Sequence, residues 1–297
     1  MGQTPLVAPP EHVAGQGPGR DGSVEIDTPT LITVSALAWA LANVLHEIVG
    51  HAGAAVVLGV PVRAVSTTTA YVDWTAIESA AENRIINAAA TPVNVVTGAL
   101  ALVALRRLHA HRTATRYFLW LFATVSFAIA VMNMVTVALL GEGDWGEVSE
   151  GLDHAGLWTA GIVAAGVVVA VVGYRLSLRW FLPDLRDDAR LRHRVVFVPV
   201  ATMMVVQTLS VLLSPFGTAP AEVNHLLASM FAFAHLIVWA IPVNRGVGPR
   251  SPRPVDDLTL RRSTGWLAAG AAIIIVFIVV LGPGLGPLED DPRLHSS

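Results

Sequence analysis

The chain has 297 residues, of which 54% are hydrophobic and only 14% charged, with a net charge of -3. That balance excludes an ordinary soluble globular domain and places the chain in the membrane class. There is no cysteine, which excludes disulfides and thiolate ligands, so any bound metal must rest on nitrogen and oxygen donors.

Residues 1–29 are rich in Pro and Gly and carry no apolar period, which predicts a disordered tail. A helix rises about 1.5 Å per residue, so about 20 apolar residues cross a bilayer core about 30 Å thick. Seven segments meet that length: 30–59, 85–105, 117–140, 155–175, 195–214, 223–243 and 264–283. Between the first two, Val62 to Trp74 is rich in Val and Thr and lacks a helical period, and it reads as one or two short strands. The expected fold is an all-α polytopic membrane protein of about seven transmembrane helices, with a short strand-like segment after the first. Its parts are the tail, a membrane core over 30–154, additional transmembrane helices over 155–283 and a C-terminal tail over 284–297.

All 19 basic residues are arginine. Four lie from Arg106 to Arg116, six from Arg175 to Arg194 and five from Arg245 to Arg262, whereas the alternate loops hold only Arg63, Arg84 and Arg293. Arginine-rich loops stay on the cytoplasmic side. The N-terminus is therefore expected inside and the C-terminus outside, with the acidic loop from Glu142 to Asp153 facing outward.

The first segment contains His46-Glu47-Ile48-Val49-Gly50-His51. The zinc-protease motif H-E-x-x-H places its imidazoles four residues apart on one helical face, and here they are five apart. On a regular helix five residues turn about 500°, leaving the two side chains about 140° apart and unable to share a metal. A single-turn π-bulge would absorb the extra residue, and Gly50 is a permissive place for it. Both imidazoles would then grip one Zn²⁺, with Glu47 as base toward a water that the zinc acidifies. Two His and one Glu inside an apolar span are costly unless paired, hydrated or metal-bound. A metal-free polar seam between helices is the alternative.

A catalytic zinc takes three protein ligands and keeps one position open. Asp144, in the glycine-rich Gly141 to Gly146 stretch after the third segment, is the leading candidate for the third. Glu142, Glu147, Glu150, Asp153 and His154 compete in the same loop. Asn43, about one turn before the motif, suits orienting an imidazole, lining a cavity or bonding between helices. Gln207, Asn224, His225 and His235 read as packing or interfacial groups.

The His-Glu…His cluster in the first long helix, the stretch Ala88-Ala89-Ala90-Thr91-Pro92-Val93-Asn94 in the second and the Gly143-Asp144 pair after the third together resemble the site-2 protease family of intramembrane zinc metalloproteases, in a divergent prokaryotic branch. The resemblance covers residues 30–150. It implies zinc held by His46, His51 and Asp144, Glu47 as general base, and Asn94 or Asn133 near the site to position substrate. It also implies the cell membrane of a prokaryote.

The expected function is a zinc-dependent intramembrane metallopeptidase that cleaves peptide bonds in or near a membrane-spanning substrate. The expected partners are a membrane protein or peptide substrate and the lipid bilayer, with no nucleic acid. A substrate helix hides its carbonyls in internal hydrogen bonds and must unwind locally, and the Val62 to Trp74 segment offers an edge for it to join as a strand. The rival readings are a transporter or scaffold using the same His and Glu groups for ions or protons, and a relative that holds zinc without activity.

Overall fold

A computed structural model describes residues 26–108, 113–181, 189–213, 229–238, 240–241 and 259–286. Of the tail expected over 1–29, residues 1–25 lie outside the described residues, as do the arginines from Arg245 to Arg253, Asn224 and His225, while Ile26 to Pro29 are ordered as a bridge to Leu260 and the start of the first helix.

Helix α1 spans Thr28–Val57. Asp27 caps it, its carboxylate accepting from the Thr30 N–H at 2.9 Å, and Pro29 sits in the first turn, where its missing N–H costs nothing. A hairpin follows, strand β1 (Val62–Val65) paired antiparallel with β2 (Ala70–Val72). Helix α2 (Ala80–Arg107) starts on a capping box in which Ser79 and Glu82 each satisfy the other's N–H. Helix α3 (Thr113–Leu140) is followed by the short α4 (Gly143–Ser149), then α5 (Ala155–Phe181) and α6 (Ala189–Leu213).

Five of these helices are long and apolar enough to cross a membrane. The sixth and seventh expected spans are shorter among the described residues, as α7 (Ser229–Val238) and α8 (Thr264–Val280). Ten residues of helix reach only about 15 Å, half of a hydrocarbon core. The described residues thus carry five full-length candidate spans where the hydropathy of the sequence pointed to seven.

The core gathers around α1 and α3, of which α3 is the more enclosed. Trp39 from α1, Tyr117 and Trp120 from α3, Met203 from α6 and Phe277 from α8 are all buried in it. By contrast α5 leaves Val168 and Val172 uncovered, the apolar surface a lipid-facing helix needs.

The ends of the bundle differ in chemistry. At one, Ile26 pairs with Leu260, Arg194 donates to the Ile26 carbonyl, Arg116 donates to the Leu105 and Leu108 carbonyls, and Arg106 lies over the Trp180 ring. At the other stand the hairpin, α4 and the second half of α1. The hairpin turn is tied down there by a hydrogen bond between Thr67 and Ser210 of α6.

Candidate metal centre

The expected local distortion of α1 is present. From Leu45 to Ala52 the helix is π-helical, and because each N–H there reaches back five residues, residues five apart return to nearly one face. His46 and His51 meet edge to face with ring centroids 5.0 Å apart. Gly50 lets the wide turn lie directly on α2, since a Cβ at that position would sit 2.4 Å from the Ala90 Cα. Gly50→Val is expected to push α1 off α2 at a cost of about 1–3 kcal/mol and to lower metal occupancy, which thermal unfolding and metal analysis of the purified protein would check.

Asp144 approaches from the opposite side. The chain ends α3 at Gly141 in the left-handed region (φ 71°), runs extended through Glu142 and starts α4 at once. Arg84 of α2 donates to the Val148 and Glu150 carbonyls at 3.2 and 2.9 Å, and Trp145 Nε1 donates to Thr91 Oγ1 at 2.9 Å. These bonds pin α4 to α2 and aim its first turn at the motif. Asp144 Oδ2 lies 3.4 Å from His46 Nε2 and Oδ1 lies 3.4 Å from His51 Nε2.

The donor set suits a metal ion on three independent grounds. The ligand-capable atoms of His46, His51 and Asp144 all lie within 4.8 Å of one another; tetrahedral bonds of about 2.0–2.1 Å place ligand atoms about 3.4 Å apart. Both far ring nitrogens are already engaged. His51 Nδ1 is 2.9 Å from the Ile86 carbonyl, which can only accept, so Nδ1 carries the proton and Nε2 presents its lone pair. His46 Nδ1 is 2.6 Å from Asn94 Oδ1, while the Asn94 amide nitrogen donates to the Ala42 carbonyl, which fixes the amide's orientation and gives His46 the same tautomer. Finally, Asp144 Oδ2 is buried with no hydrogen-bond partner among the described residues, an orphan that a cation would satisfy. Burial pushes the Asp144 carboxyl up, but when no ion is bound and the facing imidazoles carry protons, His51 and His46 outweigh it and hold the group well below the usual carboxylate range.

Glu47 lies on the same turn, buried, with Oε2 accepting from the Ala70 N–H of β2 at 3.1 Å. It faces a cavity of about 660 Å³ that also takes in His46, His51 and Asp144. Asn43 and Asn133 line the cavity as well, Asn133 from a second π-helical turn in α3 over Met132–Val137. Asn94 differs from the role expected of it. It is fully buried behind His46 and holds the imidazole, away from the cavity lining. Among the competing acids, Glu142 and Glu147 line the cavity without joining the triad.

Several supporting groups were not foreseen. Arg84 had a signal, as one of few arginines on the acidic side. The Ile86 carbonyl and the Trp145–Thr91 bond had none, because each depends on contacts between distant segments. Gln207 was read as packing, yet it lines the cavity while its side-chain oxygen accepts from Trp39 Nε1 at 2.9 Å. His235 is half-buried and bonds within its own helix, to the Phe231 carbonyl at 2.8 Å.

No family model, curated protein or solved structure matches this chain. The geometry itself yields a sharp expectation. Asn94→Leu keeps the bulk but frees the His46 ring, and outer-shell changes of this kind weaken metal binding about 10–100-fold. Competition against a chelator of known affinity would measure it.

Proposed function

We propose that the chain is a zinc-dependent intramembrane metallopeptidase of the site-2 protease kind, cleaving peptide bonds in or near a membrane-spanning substrate in a prokaryotic cell membrane. The observation that carries this reading is the convergence of two imidazole Nε2 atoms and one carboxylate beside the buried Glu47, in one cavity set among membrane-length helices. Two nitrogens and one oxygen form a donor set that zinc favours at catalytic sites, with a fourth position left open.

His46, His51 and Asp144 would hold the ion, and when bound it supplies Lewis acidity that polarises a carbonyl and lowers the pKa of a water. Glu47 takes a proton from the attacking water on its carboxylate and delivers it to the leaving amine. Asn43 and Asn133 offer amides to the backbone of an unwound substrate from within the cavity. Ala70 and Val72 of β2 also line it, so an extended peptide that adds to this strand runs past the metal. The arginine-bearing ends of the helices gather away from the site, which by the positive-inside rule turns the cavity toward the outer side.

The deciding experiment incubates the purified, zinc-loaded protein with a panel of single-span substrates, with and without a chelator. Cleavage that the chelator stops and added zinc restores is the expected result. Intact substrates throughout, with zinc bound at one equivalent, would reject the peptidase reading.

A further inference from the structure

The hairpin is held on both of its edges. On the β1 edge, Val65 donates to the Leu285 carbonyl at 3.0 Å and accepts from the Leu285 N–H at 2.9 Å, an antiparallel bridge to the segment that follows α8. Because both Val65 backbone groups turn toward Leu285, the facing residue Ala70 has its own N–H turned the other way, as alternation in an antiparallel pair requires. That N–H is the one donating to Glu47 Oε2. Leu285, Val65, Ala70 and Glu47 thus form one rung, running across the sheet from the C-terminal segment to the proposed base.

The geometry points to the C-terminal segment as a positioning element for Glu47, acting through the hairpin; this inference rests on the function proposed above. The bridge is closely fitted. Gly286 has φ 130°, which L side chains rarely adopt, and a Cβ there would lie 2.0 Å from the Arg63 carbonyl oxygen and 2.8 Å from the Ala64 Cα. Helix α8 brings the segment to this place because it lies along α1 from the start, where the Ser263 N–H meets Thr30 Oγ1, and so ends beside the hairpin. Together with the Thr67–Ser210 contact, the bridge fixes the hairpin to α8 and α6. The later helices therefore contribute to the centre without supplying a ligand. A carboxylate anchored by one backbone N–H on a short, two-stranded hairpin depends on that hairpin staying in place, since so small a sheet is marginal by itself.

The test uses the full-length protein with Gly286→Val, and a second variant ending at Gly284, which removes Leu285 without straining the backbone. Hydrogen exchange resolved to single amides is the first readout and needs no activity. Both the Val65 and Ala70 amides are expected to exchange at least about tenfold faster, with zinc content unchanged. The second readout is hydrolysis, where kcat should fall about tenfold or more because the base is displaced. The third is Ala70→Pro, which deletes the donor at an N–H that takes no part in pairing with β1. In that background Gly286→Val should produce no further loss of kcat, as expected when two changes act through one contact. Unchanged exchange at Ala70 in both variants, or full additivity with Ala70→Pro, would overturn the proposal. A native protein that binds zinc but cleaves nothing fails the peptidase reading, while the Ala70 exchange still decides whether the rung carries the coupling.

Discussion

His51→Ala and Asp144→Ala will each strip the metal from the purified protein, while Glu47→Gln keeps it. The two ligand changes remove one corner of a three-donor set, and loss of a direct ligand must cost more than the about 10–100-fold lost with an outer-shell partner. Asp144→Ala also deletes the carboxylate that both Nε2 atoms face at 3.4 Å, leaving two imidazoles with nothing between them. Asp144→Asn is the sharper probe. It preserves shape and packing in α4, so a loss of metal there reports on charge and donor strength and not on a collapsed loop. Metal analysis after dialysis against a weak chelator measures all four variants. One equivalent of zinc retained in the His51 and Asp144 variants would place the ion elsewhere in the protein.

The second large effect is on the chemistry. Glu47→Gln should reduce hydrolysis by about 10²–10⁴-fold, the usual contribution of a positioned general base, with zinc content at the native level. The amide of Gln keeps the length of the side chain and can still accept from the Ala70 N–H through its oxygen, so the hairpin stays anchored and only proton acceptance is lost. A transporter built on the same groups gives a different pattern, because removing a titrating carboxylate would shift the pH dependence of flux with no proteolysis to lose. Single-turnover cleavage by the native and Glu47→Gln proteins, at matched zinc, separates these cases. Full activity in the variant removes Glu47 from the mechanism.

The centre was more legible than the architecture. Five-residue spacing between His46 and His51 cannot serve one metal on a regular helix, so a shared metal required a widened turn, and Leu45–Ala52 has one. Asp144 was recognisable because acid and glycine coincide at the end of a span. Asn94 was named only through the family resemblance, as a group to position substrate, and its bond to His46, 48 residues away, was not foreseen. The same holds for Trp39 and Gln207, which meet across 168 residues. Local periodicity reports which residues are apolar and has no access to which helices become neighbours. Hydropathy pointed to seven spans, of which five are full-length among the described residues, while Ser229–Val238 and Thr264–Val280 are described only as shorter apolar helices.

The wide turn in α1 has a consequence for how such a site changes over time. Adding one residue to a regular helix rotates everything beyond it by about 100°, which would carry the end of α1 and the hairpin out of place. Here the surplus is absorbed within one turn, and regular helix resumes at Gly53 with Ala55 buried again. Val49, on the outer side of the bulge, is 53% exposed. A chain lacking Val49 is expected to regain the four-residue spacing, keep both flanks in phase and still bind one equivalent of metal, which titration of the deletion variant would check. Motif length along the chain would then be uncoupled from ligand position in space, so that the gain or loss of a single codon need not separate the three groups that could hold an ion.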